Sequence, residues 1–360
     1  MLTRRVRKNS PATRRWWQAA AAFTVTLTAA PVYAQDTPLP PVSIGAGMQT
    51  SFVHTEVGDF DGSDAFLLNS ARLYVNGSVT RQITFMFNTE YQGGSNDVGI
   101  LDAAARFEFS PAFNIWAGRF LPPSDRANLY GPYYSHHWAV FTDGVQDGYP
   151  FIFQGRANGV MYWGQFEKVK LSGGAFDGAS LTGDDTALLA GRVQIDFWDP
   201  EDGYYLNGTY YGSKNLLAIG VAGQVQGEDR SAYNVDFLLE RMVGMGGAVS
   251  IEAQWNTYDQ LGGYDSSYRT NDGGYVLAAY LFPAMSGPGR WEVLGKYAHA
   301  RFRDGFFFFN GDYDQKTTEI DLNYIIKEFN ARMMIFFKDT RFDAERTDFF
   351  QVGVGMQIQM

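Results

Sequence analysis

From Pro41 onward, apolar residues return at every second position, segment after segment. Ile83, Phe85, Phe87, Thr89 and Tyr91 share one face, and Thr84, Met86, Asn88 and Glu90 the other. The same alternation sets Val193, Ile195 and Phe197 against Arg192, Gln194 and Asp196. It sets Val249, Ile251, Ala253 and Trp255 against Ser250, Glu252, Gln254 and Asn256. Toward the end, Ile320, Leu322 and Tyr324 oppose Glu319, Asp321 and Asn323, and Val352, Val354, Met356 and Ile358 oppose Gln351, Gly353, Gly355 and Gln357. A period of two requires strands with one apolar and one polar face. No stretch carries the 3.6-residue period of an amphipathic helix. Alternation alone fits a soluble β-sandwich as well as a barrel.

Two features favour a barrel in a membrane. Short turns near Thr80-Arg81, Ser110-Pro111, Trp163-Gly164, Gly244-Met245 and Lys327-Glu328 alternate with longer polar loops at 54–64, 92–99, 121–150, 177–185, 258–272 and 302–313. Outer-membrane barrels treat their two ends in this way. Aromatics also gather near strand ends, at Phe109, Phe113, Phe151, Phe153, Trp291, Phe336 and Phe337, as interfacial girdles require. The mean hydropathy of −0.23 is then an average over a lipid-facing half and a water-facing half. With no 18-residue apolar run after the N-terminus, a helical membrane bundle is excluded.

The strands expected are 42–53, 65–76, 82–91, 100–109, 112–120, 151–162, 165–176, 186–197, 216–226, 232–242, 246–257, 273–282, 290–301, 314–326, 329–339 and 347–358. This all-β arrangement is a 16-stranded antiparallel transmembrane β-barrel, with Trp198–Asn215 as one long connection on the periplasmic side. Sixteen strands leave an aqueous lumen, whereas eight would be filled by side chains.

The first 34 residues read as an export signal. Arg4, Arg5, Arg7, Lys8, Arg14 and Arg15 form a basic region, Trp16–Ala30 an apolar core, and Val32-Tyr33-Ala34 a cleavage site before Gln35. Residues 35–360 would be the barrel domain. Loss of the signal removes six cations and no anions from a net charge of −10, leaving −16. That acidity argues against a nucleic-acid partner. The absence of cysteine removes disulfides, thiolate metal sites and cysteine nucleophiles. The expected location is the bacterial outer membrane.

With apolar faces toward lipid, Arg72, Arg106, Arg156 and Arg192 point into the lumen on every second strand, spaced laterally by roughly 10 Å. Each could shape the pore field or simply neutralise a neighbouring carboxylate such as Glu90, Asp102, Glu108 or Asp196. Strands of the second half project Asp236, Glu240, Glu252, Glu292, Glu319 and Asp321 inward with Lys296, Arg332 and Lys338, suggesting an opposite acidic wall and a transverse field. The segment 121–150, long and without periodicity, is the expected constriction. It carries Tyr130, Tyr133, Tyr134, Trp138, Phe141 and His136-His137, with Arg126 as its fixed cation and Arg119 at its root. The aromatics are read as anchors against the wall, with stacking on sugar rings or organic solutes the alternative. Adjacent histidines on extended chain point opposite ways, so a solvated or hydrogen-bonded pair is expected rather than a metal site. Asp59-Phe-Asp-Gly-Ser-Asp64 lacks the spacing and the terminal Glu of a calcium loop, and Phe306–Phe309 reads as a rim cluster.

Four stretches resemble the phosphate-selective porins, the porin O and P family. They are Asn69-Ser-Ala-Arg-Leu-Tyr-Val-Asn-Gly77, Leu101-Asp-Ala-Ala-Ala-Arg106, Ala117-Gly-Arg-Phe-Leu-Pro-Pro-Ser-Asp-Arg126 and Thr318-Glu-Ile-Asp-Leu-Asn-Tyr324. The resemblance implies a trimeric porin-type channel with an arginine ladder and an inward-folded third loop. The family carries Lys where this chain has Leu121, the following loop lacks the lysine cluster, and the last residue is Met360 rather than an aromatic. The expected function is therefore passive diffusion of small hydrophilic solutes through a permissive pore rather than a strict anion filter, with an anion or phosphate preference open near the arginine band. The expected partners are outer-membrane lipid and lipopolysaccharide, a homotrimer, and the barrel-assembly machinery during biogenesis. No cofactor, metal or catalytic residue is expected. The competing classes are an outer-membrane barrel enzyme and a non-transporting structural or receptor barrel.

Overall fold

The alternating segments close on themselves. The computed structural model describes residues 41–92, 97–138, 142–147, 155–178, 186–305, 311–343 and 346–360. The strands are β1 (Val42–Val57), β2 (Ser63–Ser78), β3 (Ile83–Gln92), β4 (Asp97–Ser110), β5 (Phe113–Phe120), β6 (Ala157–Phe166), β7 (Val169–Phe176) and β8 (Leu188–Asp196). They continue with β9 (Leu216–Gln226), β10 (Arg230–Val243), β11 (Gly247–Asp259), β12 (Tyr268–Ser286), β13 (Gly289–Gly305), β14 (Tyr313–Lys327), β15 (Ala331–Phe342) and β16 (Phe349–Gln359). Each pairs antiparallel with its sequence neighbour, and β1 pairs with β16 from Gly47↔Gln359 to Val57↔Phe349. The sixteen-stranded antiparallel barrel has no free edge, as a sheet in a medium without hydrogen-bond donors must not.

Side-chain parity follows the sequence pattern. On β8, Arg192, Gln194 and Asp196 are buried inside while Val193 and Ile195 are 46% and 41% exposed outside. Ile320, Leu322, Met333, Ile335, Val352, Val354 and Ile358 are likewise exposed on the outer face. An apolar exterior around a polar interior inverts the arrangement of a soluble protein and matches a lipid-facing wall. Both chain ends of the barrel lie at one rim, here the near end. Aromatic pairs cluster there: Phe109–Phe113 at 5.6 Å, Phe113–Tyr162 at 5.7 Å, Tyr280–Phe282 at 4.9 Å and Trp291–Tyr324 at 4.8 Å.

Several expectations need correction. Strands reach further at the far end than the polarity of the segments suggested, so the connections at 58–62 and 260–267 are shorter than expected. β6 begins at Ala157 rather than at residue 151, and β7 at Val169 rather than at 165. Gly164 caused the second error. It serves close packing, because a Cβ there would lie 2.3 Å from the Ala112 carbonyl oxygen. The reversal falls at Glu167, which takes φ 56°. Phe336 points inward, not into a girdle, and is buried. The export signal, Phe141, Phe151, Phe153 and Phe306–Phe309 lie outside the described residues.

Candidate functional site

Two segments enter the lumen from opposite ends. From the far end comes the β5–β6 connection, the third loop, whose first residues are almost wholly buried. It opens on a short helix, α1 (Arg126–Tyr130), capped by Asp125, whose Oδ1 accepts from the Asn128 amide at 2.9 Å. Burial pushes the Asp125 carboxyl up to about 6 against the opposing pull of that amide. A single 3₁₀ turn, Pro132–Tyr134, follows Gly131, which takes φ 61° to end the helix. From the near end comes the β8–β9 connection, 197–215, in which Glu201, Tyr204, Leu206, Thr209 and Tyr211 are buried.

The segments clasp one another. Arg126, with no exposed surface, donates from Nη1 to Glu201 Oε1 at 2.9 Å and to the Asn207 carbonyl at 3.0 Å, and its Nη2 pairs with Glu201 Oε2. Burial alone would raise the Glu201 carboxyl, but the adjacent guanidinium outweighs it and brings it down to about 2. Two bonds to backbone carbonyls reinforce the clasp: Gly208 N–H donates to the Tyr134 carbonyl at 2.8 Å, and the Tyr204 hydroxyl donates to the Leu121 carbonyl at 2.9 Å.

The second-half wall holds both segments down. Glu240 accepts from Thr209 Oγ1 at 2.7 Å and from the amides of Tyr210 and Gly212 at 2.9 and 2.7 Å. Asp236 accepts from the Arg126 amide at 3.1 Å and from Arg192 Nη2 at 2.8 Å. Glu252 accepts from Tyr130 Oη at 2.9 Å, Asp321 from the Trp138 amide at 3.4 Å, and Glu319 pairs with Lys338 at 3.3 Å. Lys338 and Arg332 donate to the carbonyls of Trp138 and Ser135 at 3.2 and 2.6 Å, and Lys296 meets Asp143 at 2.6 Å. Asp236, Glu240, Glu252 and Asp321 are covered by the segments they bind, and Glu319 is buried against Lys338 on the wall itself. The acidic wall is thus a docking surface, and the expected field across an open pore does not describe it. Sequence parity could place these groups inside but could not show what would cover them.

The loop aromatics take different positions. Trp138 stacks on Phe336 with centroids 6.3 Å apart and planes within 7°, and lies directly against Gly355. Tyr133 receives a hydrogen bond from Ser70 Oγ at 3.0 Å and sits under the Arg72 guanidinium at 4.8 Å. Anchoring therefore describes Trp138 and Tyr133, whereas Tyr130 and Tyr134 also border the remaining open space. A methyl group at position 355 would lie 2.8 Å from the Trp138 ring. Substituting Gly355→Ala should therefore loosen the third loop and accelerate its cleavage in limited proteolysis. An unchanged cleavage rate would show that the ring shifts without undocking.

His136 and His137 are fully buried, not solvated. His136 Nε2 lies 3.0 Å from Glu292, which raises its pKa despite an opposing effect of burial. His137 is pushed well down by burial and by Lys296 and Lys338, and its Nδ1 lies 3.1 Å from Ser135 Oγ. This serine–histidine contact escaped sequence reading. It is sealed from solvent, and His137 Nε2 faces the Lys296 ammonium at 3.3 Å. Among the described residues no group of three or more metal-ligating side chains converges.

Among the described residues a cavity of about 510 Å³ stays open along the first-half wall. It borders Ser43 and Gly45 near the start of β1, Asn76 and Asn88, and Leu101 and Asp102 on β4. Arg72, Arg106 and Arg156 line it. Arg72 pairs with Glu90, and Arg156 Nε lies 3.2 Å from Asp102. Arg126 and Arg192 do not border it, being consumed by Glu201 and Asp236. Arg119 follows the outward parity of β5, with Nε on the Ile100 carbonyl at 3.1 Å, and so leaves the expected pore-lining set. Tyr205, Leu206 and Asn207 join the lining from the near-end segment. Sequence reading passed over them, although seven residues from Tyr204 to Tyr210 containing three tyrosines are unusual in a plain connection.

No protein-family model matches the chain, and no curated protein matches it in sequence. Solved structures do share its fold. Pseudomonas putida OprB at high pH aligns over 89% of this chain and 94% of that one, at 10% identity and TM-score 0.61. An anion-selective porin from Comamonas acidovorans covers 89% and 100%, at 14% identity and TM-score 0.59. The trimer form of the Vibrio cholerae outer membrane protein OmpT covers 89% and 100%, at 11% identity and TM-score 0.55. At these identities the likeness extends to the sixteen-stranded porin-type barrel and no further, and the resemblance to the phosphate-selective family has no matching family model behind it.

Proposed function

We propose that the protein is an outer-membrane porin that lets small hydrophilic solutes diffuse along the first-half wall, with an anion preference set by Arg72, Arg106 and Arg156. The observation that carries this reading is the 510 Å³ cavity, whose charged side chains among the described residues are three arginines and Asp102, inside a closed barrel with an apolar exterior. Unequal wall charge in a narrow passage is a device of pore selectivity. In this reading residues 1–34 are the cleaved export signal, the near end faces the periplasm, and the barrel sits among lipid and lipopolysaccharide after insertion by the assembly machinery. The trimer form recorded for OmpT and the porin identity of the Comamonas structure support a trimeric channel here. Phosphate is one candidate among the permeant anions.

A second reading is a barrel sealed by its own insertions, acting as a receptor or structural protein. The clasp between 126 and 201 favours it. A barrel enzyme has less support, because Ser135 and His137 are both sealed from solvent. Conductance of the purified protein in planar bilayers separates the channel from both. Discrete, ohmic current steps are expected, and their absence at every voltage would remove the channel reading.

A further inference from the structure

We infer that the open cavity is a binding station for small organic anions with an apolar body, monocarboxylates bearing a ring or a short alkyl chain, in preference to inorganic oxyanions. The inference rests on the channel reading and names its solute class. The charged side chains of the cavity all lie on its strand side. That side supplies the three arginines and Asp102 with Asn76 and Asn88 beside Tyr74, Met86 and Leu101, and the inserted segments supply Leu121, Leu129, Tyr130, Tyr134, Tyr205 and Leu206 with Asn207. An inorganic oxyanion is hydrated on every side, so the leucine and tyrosine wall strips water from it without replacing the lost hydrogen bonds. A carboxylate with an apolar body instead removes its own apolar surface, and that of the wall, from water.

Arg106 is the anchor. Its neighbours are committed, Arg72 to Glu90 and Arg156 to Asp102. Arg106 meets only neutral acceptors, Thr84 Oγ1 at 3.0 Å and Asn76 Oδ1 at 3.4 Å, and stacks over Trp116 at 5.6 Å. Among the described residues no carboxylate lies within ion-pair distance of it. Glu108 reaches the same Thr84 hydroxyl at 3.3 Å, one hydrogen bond removed, so the guanidinium has no direct ion pair and its fork is open to a ligand. Its planar fork suits a carboxylate. The Tyr205 ring lies 5.5 Å from the same Trp116, with its hydroxyl 3.8 Å from Met86 Sδ. A carboxylate seated on Arg106 therefore finds an aromatic and aliphatic surface within one side-chain length.

The test is calorimetric titration of the purified full-length barrel in detergent with benzoate, acetate and inorganic phosphate, alongside bilayer conductance. Benzoate should bind at least ten-fold more tightly than acetate or phosphate. Arg106→Gln should weaken benzoate at least ten-fold and Arg106→Lys distinctly less. Leu206→Ser should narrow the benzoate–acetate gap while leaving acetate where it was. Circular dichroism establishes that each variant keeps its barrel, and Arg106→Lys preserves the test if Arg106→Gln does not fold. Equal or tighter binding of acetate or phosphate, or benzoate affinity indifferent to Arg106, overturns the inference. Conductance without benzoate preference overturns this inference alone; benzoate binding without conductance overturns the channel reading and upholds the station.

Discussion

Exchanging Glu201 for glutamine should open the lumen, raising single-channel conductance several-fold and lowering barrel stability by about 3 kcal/mol in urea unfolding. The exchange keeps the shape of the side chain and removes its charge. Arg126, fully buried, is then left with Asp236 at 3.7 Å as its remaining ion-pair partner. Breaking one side of a buried pair costs about 3–5 kcal/mol, because the other charge stays desolvated without compensation. The position of the Glu201 carboxyl gives a similar figure independently. It lies at about 2 against an ordinary 4.5, and a shift of that size corresponds to about 3 kcal/mol. A carboxyl held below its ordinary value contributes stability that is fully present above the unfolded value and is lost as pH falls through the folded one. Wild-type conductance should thus rise as pH drops from about 4.5 toward 2, while the glutamine variant shows no step there. A double exchange, Arg126→Met with Glu201→Leu, removes both charges and should keep the lumen narrow, since apolar replacement of a whole buried pair is nearly neutral. If the single exchange leaves conductance at the wild-type value, the segment 197–215 is held by its backbone bonds and Glu240, and the clasp does not control the passage.

The difference between what the sequence could and could not reveal has a single physical origin. Strand identity and inward parity follow from a two-residue period that every strand repeats locally. Arg72, Arg192, Asp236 and Glu319 could therefore be placed inside from their neighbours alone. Their partners depend on where non-periodic chain settles, and nothing local encodes that. Glu240 and Asp321 read as free wall charges because the amides they bind, at Tyr210, Gly212 and Trp138, belong to segments far away in sequence. Gly164 shows a smaller version of the same problem, since a glycine placed for close packing and a glycine placed for a turn look alike. Phe336 had the opposite difficulty. Its neighbour Phe337 does face outward, and only the stack on Trp138 explains why an aromatic occupies an inward position in a polar lumen. The third loop was legible as a constriction through its length and lack of period. The 197–215 segment has the same properties, and its tyrosines were the available sign that it too would be buried.

Replacing Arg72, Arg106 and Arg156 together by alanine should shift the reversal potential in a tenfold salt gradient toward cations, while Arg192→Ala should leave it unchanged and cost stability instead. The four arginines share one parity and one sequence register, but their surroundings separate them. Arg192 is 5% exposed and donates to both oxygens of Asp236 as well as to the Ser124 carbonyl at 3.1 Å. It is a structural cation, and its loss uncovers Asp236 beneath the helix that begins at Arg126. The other three border the cavity, two of them compensated by carboxylates and Arg106 not. Removing the triad leaves Asp102 and Glu90 without cations, so the wall changes sign rather than merely losing strength. The field of two unpaired carboxylates in a narrow passage is screened by only the few ions that fit there, unlike surface charge in bulk salt. The effect should therefore survive at about 0.15 M salt, beyond which the Debye length falls below about 8 Å. Among single exchanges Arg106→Ala should account for the greatest part of the shift, because Arg106 alone among the three has no carboxylate in direct ion-pair contact. A shift of equal size from Arg192→Ala would mean that selectivity is set beneath the third loop instead of along the open wall, and would relocate the passage to the side on which the loops are docked.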